Sequence, residues 1–275
     1  MSGAEGLVLP TDLVRDLRAL GVRPGSVLLA HVSLSALGWV VGGEQAVVLA
    51  LEEALGPDGT LVMPSQSWQL CDPAYLADAR VPEASWAAVR AALPPYDPQW
   101  TPTRTMGAVV EAFRTQPGTL RSAHPHRSFA ARGPRAAEVL ARHDLDDPVG
   151  EGSPLAAVHG ADGDVLLLGV GHDKNSSLHL AEARSGLPVP RLPNGAPMLV
   201  EGERRWVTFD EPQVDDADFV ACGAAFGATG EERRGQVGAA QARLMGQRRL
   251  VTFAADWFAR ARGTATSGAP SSRRG

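Results

Sequence analysis

The stretch "SVLLAHVSLSALGWVVGGEQAVVLALEEALGPDGTLVMPSQS", Ser26 to Ser67, decides the fold class. "SVLLAHVSL" reads as a buried strand that ends in polar residues. "GEQAVVLALEEALG" carries apolar residues at helical spacing and closes on Gly56. "GTLVMPSQS" is a second buried strand. A strand, a helix and a strand in that order imply a crossover and parallel pairing. The expected class is α/β: a mixed, largely parallel central sheet flanked by helices.

The rest of the chain extends this rhythm. Upstream, "TDLVRDLRALG" predicts a helix capped by Thr11 and stopped by Gly21. Downstream, Trp68 to Trp100 scatters Pro and Trp and predicts an insertion over one sheet edge. "GAVVEAFRTQPG" and "PRAAEVLARHDL" predict helices, and "DVLLLGVG" is the clearest strand. "APMLVEGERRWVTFDEP" predicts a hairpin with Glu201-Gly202 at its turn. "GQVGAAQARLMGQRRLVTFAADWFARAR" predicts a helix, a short apolar strand and a final helix. "GTATSGAPSSRRG", residues 263–275, is small, polar and basic and is expected to be disordered. Residues 1–262 are then expected to form a single domain, with 68–100 as a lid-like segment.

Bulk properties limit the function classes. The 275 residues are 44% hydrophobic, enough for a full core without a disulfide staple. The two cysteines, Cys71 and Cys222, give no disulfide framework and no metal-knuckle spacing, which favours a reducing, cytoplasmic setting. A net charge of -5 argues against nucleic acid as a partner. "MSGAEGLVLP" lacks the pattern of a signal peptide, and no apolar run approaches a membrane span. The expected state is a monomer or homodimer that binds small molecules.

Three polar clusters carry candidate chemistry, and the first two fall where parallel α/β sheets bind ligands, beyond the carboxyl ends of strands. The first is "GVGHDKNSSLHLAE", Gly169 to Glu182, after the apolar run "VLLLGV". Helix capping accounts for Asp173, Asn175, Ser176 and Ser177. It does not account for His179. An imidazole in the first turn of a helix is biased toward its neutral, basic form. Glu182, three residues on, shares its helical face. The cluster admits two readings: a general base with its orienting carboxylate, or a satisfied structural histidine. The second cluster is "HVSLSALG", His31 to Gly38, where small residues let backbone approach a phosphate or carbonyl. The third is "RSAHPHRSFAARG", Arg121 to Gly133. Its His124 and His126, with His172 and His179, raise a metal-dependent hydrolase as an alternative. There is no G-x-S-x-G elbow, and neither cysteine has a neighbouring histidine.

Together with "LVMPSQS" (Leu61 to Ser67), "YDPQWTPTRTMG" (Tyr96 to Gly107), "FRTQPGTLRSAHPHRSFAARG" (Phe113 to Gly133) and "GSPLAAV" (Gly152 to Val158), these clusters resemble the aminoglycoside 3-N-acetyltransferases of the antibiotic N-acetyltransferase family. The order and spacing match over roughly Ser26 to Pro188. Val32 stands where a small hydroxyl residue is common, and Ser176 where threonine is common. The resemblance implies acetyl-CoA as donor, the 3-amine of a 2-deoxystreptamine aminoglycoside as acceptor, no metal, and antibiotic resistance as outcome. A CoA- or drug-binding protein without turnover is a further alternative.

On this reading His179 is the general base, oriented by Glu182 or by Asp173. His31 contacts the reacting amine or thioester, and Ser176 helps hold the oxyanion or the thiol. CoA is cradled by His31, Ser33, Leu34, Ser35, Ala36, Leu37 and Gly38, with Arg121, Ser122, His124, Ser128 and Phe129. A polycationic acceptor needs carboxylates, and Asp72, Asp210, Glu211 and Asp215, with Asp216 beside them, are the candidates.

Overall fold

The computed structural model describes residues 6–78 and 80–266. A short strand, β1 (Leu7–Val8), leads into α1 (Pro10–Leu20). Thr11 is not its cap. Pro10 takes the first helical turn, where a missing N–H costs nothing, so the cap falls on Leu9, whose N–H donates to Asp12 at 3.2 Å. Next come β2 (Val27–Val32), β3 (Trp39–Val40), α2 (Gly43–Leu55) and β4 (Thr60–Pro64), the strand–helix–strand unit read from the sequence. Residues 68–100 hold two short helices, α3 (Pro73–Leu76) and α4 (Trp86–Ala92). Beyond them lie α5 (Ala108–Thr115), β5 (Leu120–Arg121), β6 (Phe129–Arg132), α6 (Ala136–Leu140), α7 (Pro154–Gly160), β7 (Asp164–Leu168) and α8 (Ser177–Arg184). A long hairpin of β8 (Arg191–Val200) and β9 (Glu203–Pro212) turns at Glu201-Gly202, as its sequence predicts. The chain finishes with α9 (Phe219–Gly227), β10 (Arg233–Val237), β11 (Ala240–Gly246) and α10 (Gln247–Thr266).

Seven strands form the main sheet in the order β10-β11-β7-β2-β4-β6-β5. Parallel pairing is confined to its centre, β7, β2 and β4, where helical crossovers link the strands. The flanking pairs are antiparallel. The largely parallel sheet expected from the sequence is therefore parallel only in the middle. The stretch from Gly235 to Arg262, expected to hold a helix, a short apolar strand and a final helix, has no first helix: its start belongs to the hairpin β10–β11, in which Ala240, Ala242 and Leu244 are buried at period two. The apolar run "LVTF" lies inside α10. A short apolar run fits a strand or a buried helix turn equally well. Helix α10 also carries the chain to Thr266, past the expected start of the tail at 263; residues 267–275 lie outside the described residues.

Strand parity divides the core. Leu28, Ala30, Leu61, Met63, Leu166 and Leu168 meet α1, α2 and α5 on one face. Val27, Leu29, Val62, Val165 and Leu167 meet α7, α8, α9 and α10 on the other. His31 shares the parity of Val27 and Leu29, so it falls on the face that α8 covers. Among the described residues, no helix is long and apolar enough to cross a membrane.

Candidate active site

Strands β2 and β7 are parallel neighbours, so their carboxyl ends open on the same edge of the sheet. Ser33–Gly38 leaves β2 there and Gly169–Ser176 leaves β7. Gly169 has φ +70, and a Cβ on it would stand 2.5 Å from that of Ala36. Glycine therefore lets the two loops close on each other. Asn175 then accepts the N–H of Ser177 at 3.2 Å and starts α8.

His179, in the first turn of α8, stands where two clefts meet. One cleft, of about 870 Å³, is walled by His31, Ser33, Ser35 and Gly38, by Thr105–Ala108, and by Lys174 and Ser176. The other, of about 900 Å³, is walled by Asp147, Glu182, Arg191, Asp215 and Arg262. Among the described residues, only His179 and Val214 line both.

The His179 ring is fixed on two sides. Its Nδ1–H donates to Glu182 Oε2 at 2.6 Å, and its face meets the Phe219 ring at 4.8 Å. Glu182 is buried, with its other oxygen held by Arg262 Nη1 at 2.5 Å. A carboxylate at Nδ1 places the proton there and leaves Nε2 with its lone pair. Asp173, the alternative orienter, is exposed and pairs with Lys174 at 3.2 Å instead. His31 is 7% exposed, and among the described residues its Nε2 has no hydrogen-bond partner. Burial, and then the nearby His179, push its pKa down to about 3, so it is neutral at physiological pH. Ser176 caps α8 and lines the first cleft, with no cap bond from its hydroxyl among the described residues.

Several residues expected at the site belong to the interior. Arg121 donates to Ser128 Oγ at 3.0 Å and to the carbonyls of Thr101 and Ser65 at 2.5 Å each, while its guanidinium stacks on Tyr96. Ser122 bonds His143 at 2.8 Å and accepts the N–H of Phe129; Ser128 donates to Ser65 O. Phe129 is core. His124 Nδ1 accepts the N–H groups of His126 and Arg127, each at 3.1 Å. These five residues hold β5, β6 and their connection together and do not line the first cleft. Leu37 is buried and Ala36 packs against the core, so within Ser33–Gly38 they support the loop from behind.

The expected acceptor carboxylates divide similarly. Asp72 caps α3 and takes a two-pronged ion pair from Arg90 at 2.8 and 2.9 Å. Glu211 is fully buried against Arg127, 3.1 Å away. Both are committed to structure. Asp215 lines the second cleft, Asp210 lies on an adjoining shallow cavity, and Asp216 lines the first cleft.

The metal-hydrolase alternative needs converging histidines. Instead, Nδ1 of His124 and of His126 accept N–H groups, His172 bonds Glu232 at 2.6 Å and His179 bonds Glu182. Among the described residues, no three His, Cys, Asp or Glu side chains are placed to hold one ion.

Sequence reasoning also missed part of the first cleft. Thr105–Ala108, at the start of α5, forms a second wall, and Trp68, Tyr75 and Arg127 also line it. A signal was present in "TMGAVV": a glycine just before a helical pattern. Gly107, at φ +85, is the N-cap of α5.

Comparison with known proteins shows the family. The family model described as aminoglycoside 3-N-acetyltransferase matches residues 29–259. The chain is 42% identical over 249 residues to the SPbeta prophage-derived aminoglycoside N(3')-acetyltransferase-like protein YokD of Bacillus subtilis (strain 168), covering 90% of this chain and 91% of that one. It is 40% identical to aminoglycoside N(3)-acetyltransferase VIII of Streptomyces fradiae, covering 97% of each. The crystal structure of YokD superposes with a TM-score of 0.89 over 92% of this chain and 94% of that one, at 39% identity. Two ligand-bound structures, AAC-IIIb binary with CoASH and AAC-VIa bound to sisomicin, each give a TM-score of 0.81 at 31% and 34% identity, over 92% and 91% of this chain and 97% of each of theirs. The chain belongs to the aminoglycoside 3-N-acetyltransferase family of acyltransferases.

Proposed function

We propose that this chain transfers the acetyl group of acetyl-CoA to the 3-amine of a 2-deoxystreptamine aminoglycoside, with His179 as general base. The observation that carries the reading is the place of His179, between two clefts, with Nδ1 held by Glu182. Relatives solved with CoASH and with sisomicin support a donor and an acceptor of these kinds.

The residues of the first cleft fit acetyl-CoA. Ser33 and Ser35 supply hydroxyls and Gly38 close backbone approach. The first turn of α5 and the ammonium of Lys174 suit phosphate. Acetyl-CoA supplies an acetyl thioester. The acceptor amine arrives largely as an ammonium ion, which cannot attack; Nε2 of His179 removes its proton. As the amine adds to the carbonyl carbon, negative charge grows on the carbonyl oxygen. The hydroxyl of Ser176 and the neutral imidazole of His31 are the donors this reading assigns to it. The C–S bond then breaks, the proton held by His179 leaves with the thiolate as CoASH, and the second proton that the attacking nitrogen still carries is lost to water. Glu182 keeps the imidazolium in place throughout. Asp147 and Asp215 give the second cleft the negative character an ammonium-rich acceptor needs. Residues up to 262 act as one catalytic domain on this reading, in the cytoplasm, where acetyl-CoA is available.

The test is His179→Ala. Thiol release with an aminoglycoside panel should fall about 100-fold or more, the usual scale for a lost general base, while acetyl-CoA still binds by calorimetry. Near-normal turnover would overturn the role of His179. No thiol release by the wild type with any aminoglycoside would overturn the acceptor class and favour binding without turnover.

A further inference from the structure

We infer that Arg262, in the last turns of α10, is a positioning residue for the His179–Glu182 pair. The inference rests on the reading of His179 as general base.

The guanidinium of Arg262 is held on every side. Nη1 donates to Glu182 Oε1 at 2.5 Å. Nε and Nη2 form a fork on Asp218, at 2.8 and 2.5 Å, and Nη2 also reaches the carbonyl of Asp215 at 3.0 Å. Its plane lies over the Phe258 ring, with the guanidinium carbon 4.3 Å from the ring centroid. One side chain thus ties α10 to α8, to the N-cap of α9, and to the segment before α9 that lines the second cleft. Arg262 does not reach His179; it acts through Glu182.

Two consequences follow. The first is geometric. Glu182 has two oxygens, and Arg262 occupies one, which leaves Oε2 aimed at Nδ1 of His179. Asp218 precedes Phe219, whose ring backs the imidazole, so both supports of His179 hang on the same guanidinium. The second is electrostatic: Arg262 is the cation in direct contact with Glu182, so the buried carboxylate that orients His179 is not left without a counter-charge.

The experiment compares kcat and both KM values for wild type, Arg262→Ala, Arg262→Lys and His179→Ala, with thermal melts alongside. Arg262→Ala should lower kcat about 10-fold or more and leave KM for acetyl-CoA within about twofold, as expected when a base is displaced but the donor site is intact. Arg262→Lys keeps the charge but loses the fork, so kcat should fall there too, by less than in Arg262→Ala. If Arg262→Ala does not fold, the lysine variant decides: wild-type kcat there overturns the inference. A dead His179→Ala beside a wild-type kcat in a folded Arg262→Ala overturns this inference alone. Near-normal turnover in His179→Ala overturns the base reading and this inference with it.

Discussion

Lowering the pH from 7.5 to 5 should bring this protein close to unfolding, because four of its histidines are buried in the neutral form. Burial drives His31 down to about 3 and His126 and His143 to about 4, and it drives His124 well below its ordinary value of 6.5. In the unfolded chain each returns to about 6.5. Below that value the unfolded state binds protons that the folded state cannot, so stability falls as pH falls. At pH 5 each histidine has lost about 1.4 kcal/mol for each of 1.5 pH units, roughly 2 kcal/mol. The four together come to roughly 8 kcal/mol, against a total stability on the order of 5–15 kcal/mol for an ordinary protein. Carboxylates held low by partners, such as Glu211 beside Arg127, do not offset this. Their contribution is fully present above about pH 4.5 and is lost only as pH falls further.

Urea unfolding at pH 7.5, 6.5, 5.5 and 5.0 measures the effect. Between pH 6 and 5 the slope should approach 5 kcal/mol per pH unit. Substituting His143, whose Nδ1 faces Ser122 Oγ and whose Nε2 faces Pro148 O, with Gln should remove about a quarter of that slope whatever it does to stability at pH 7.5. A wild-type change under about 2 kcal/mol across the whole range would refute the reasoning. It would mean that the native state admits water or protons to these rings.

Glu211→Gln should lower the melting temperature by roughly 10 °C, since leaving Arg127 buried and unpaired costs about 3–5 kcal/mol; acceptor KM should barely change, and a large KM effect with an unchanged melt would return Glu211 to the acceptor site. Gly223→Ala should destabilise the fold by about 3 kcal/mol, because its Cβ would fall 2.1 Å from the ring of His172, which Glu232 holds at 2.6 Å. A melt within 1 °C (about 0.3–0.5 kcal/mol) of wild type would show that His172 can move aside.

What the sequence made legible, and what it hid, follows from the range of the interactions. The dyad of His179 and Glu182 lies within one helical turn, so spacing alone places both on one face, and the structure joins them at 2.6 Å. The hairpin turn at Glu201-Gly202 is equally local. Arg262 is 80 residues from Glu182, and no periodicity points from one to the other. The residues expected at the cofactor and acceptor sites that lie inside the fold have a common feature. Arg121, Ser122, His124, Asp72 and Glu211 are polar residues in loops or at strand ends, and polarity there reads as exposure. Each has instead a partner far along the chain: Arg121 with Ser65, 56 residues away; Glu211 with Arg127, 84 away; Asp72 with Arg90. A buried polar group must be satisfied by whatever the fold brings to it, and its partner is invisible until the fold is known. The first wall of the cleft was legible because β2 ends in it, and an apolar strand followed by small polar residues is a local signal. The second wall was not: α5 reaches the cleft only because it packs on α2 against the sheet, a long-range fact that "TMG" by itself does not contain.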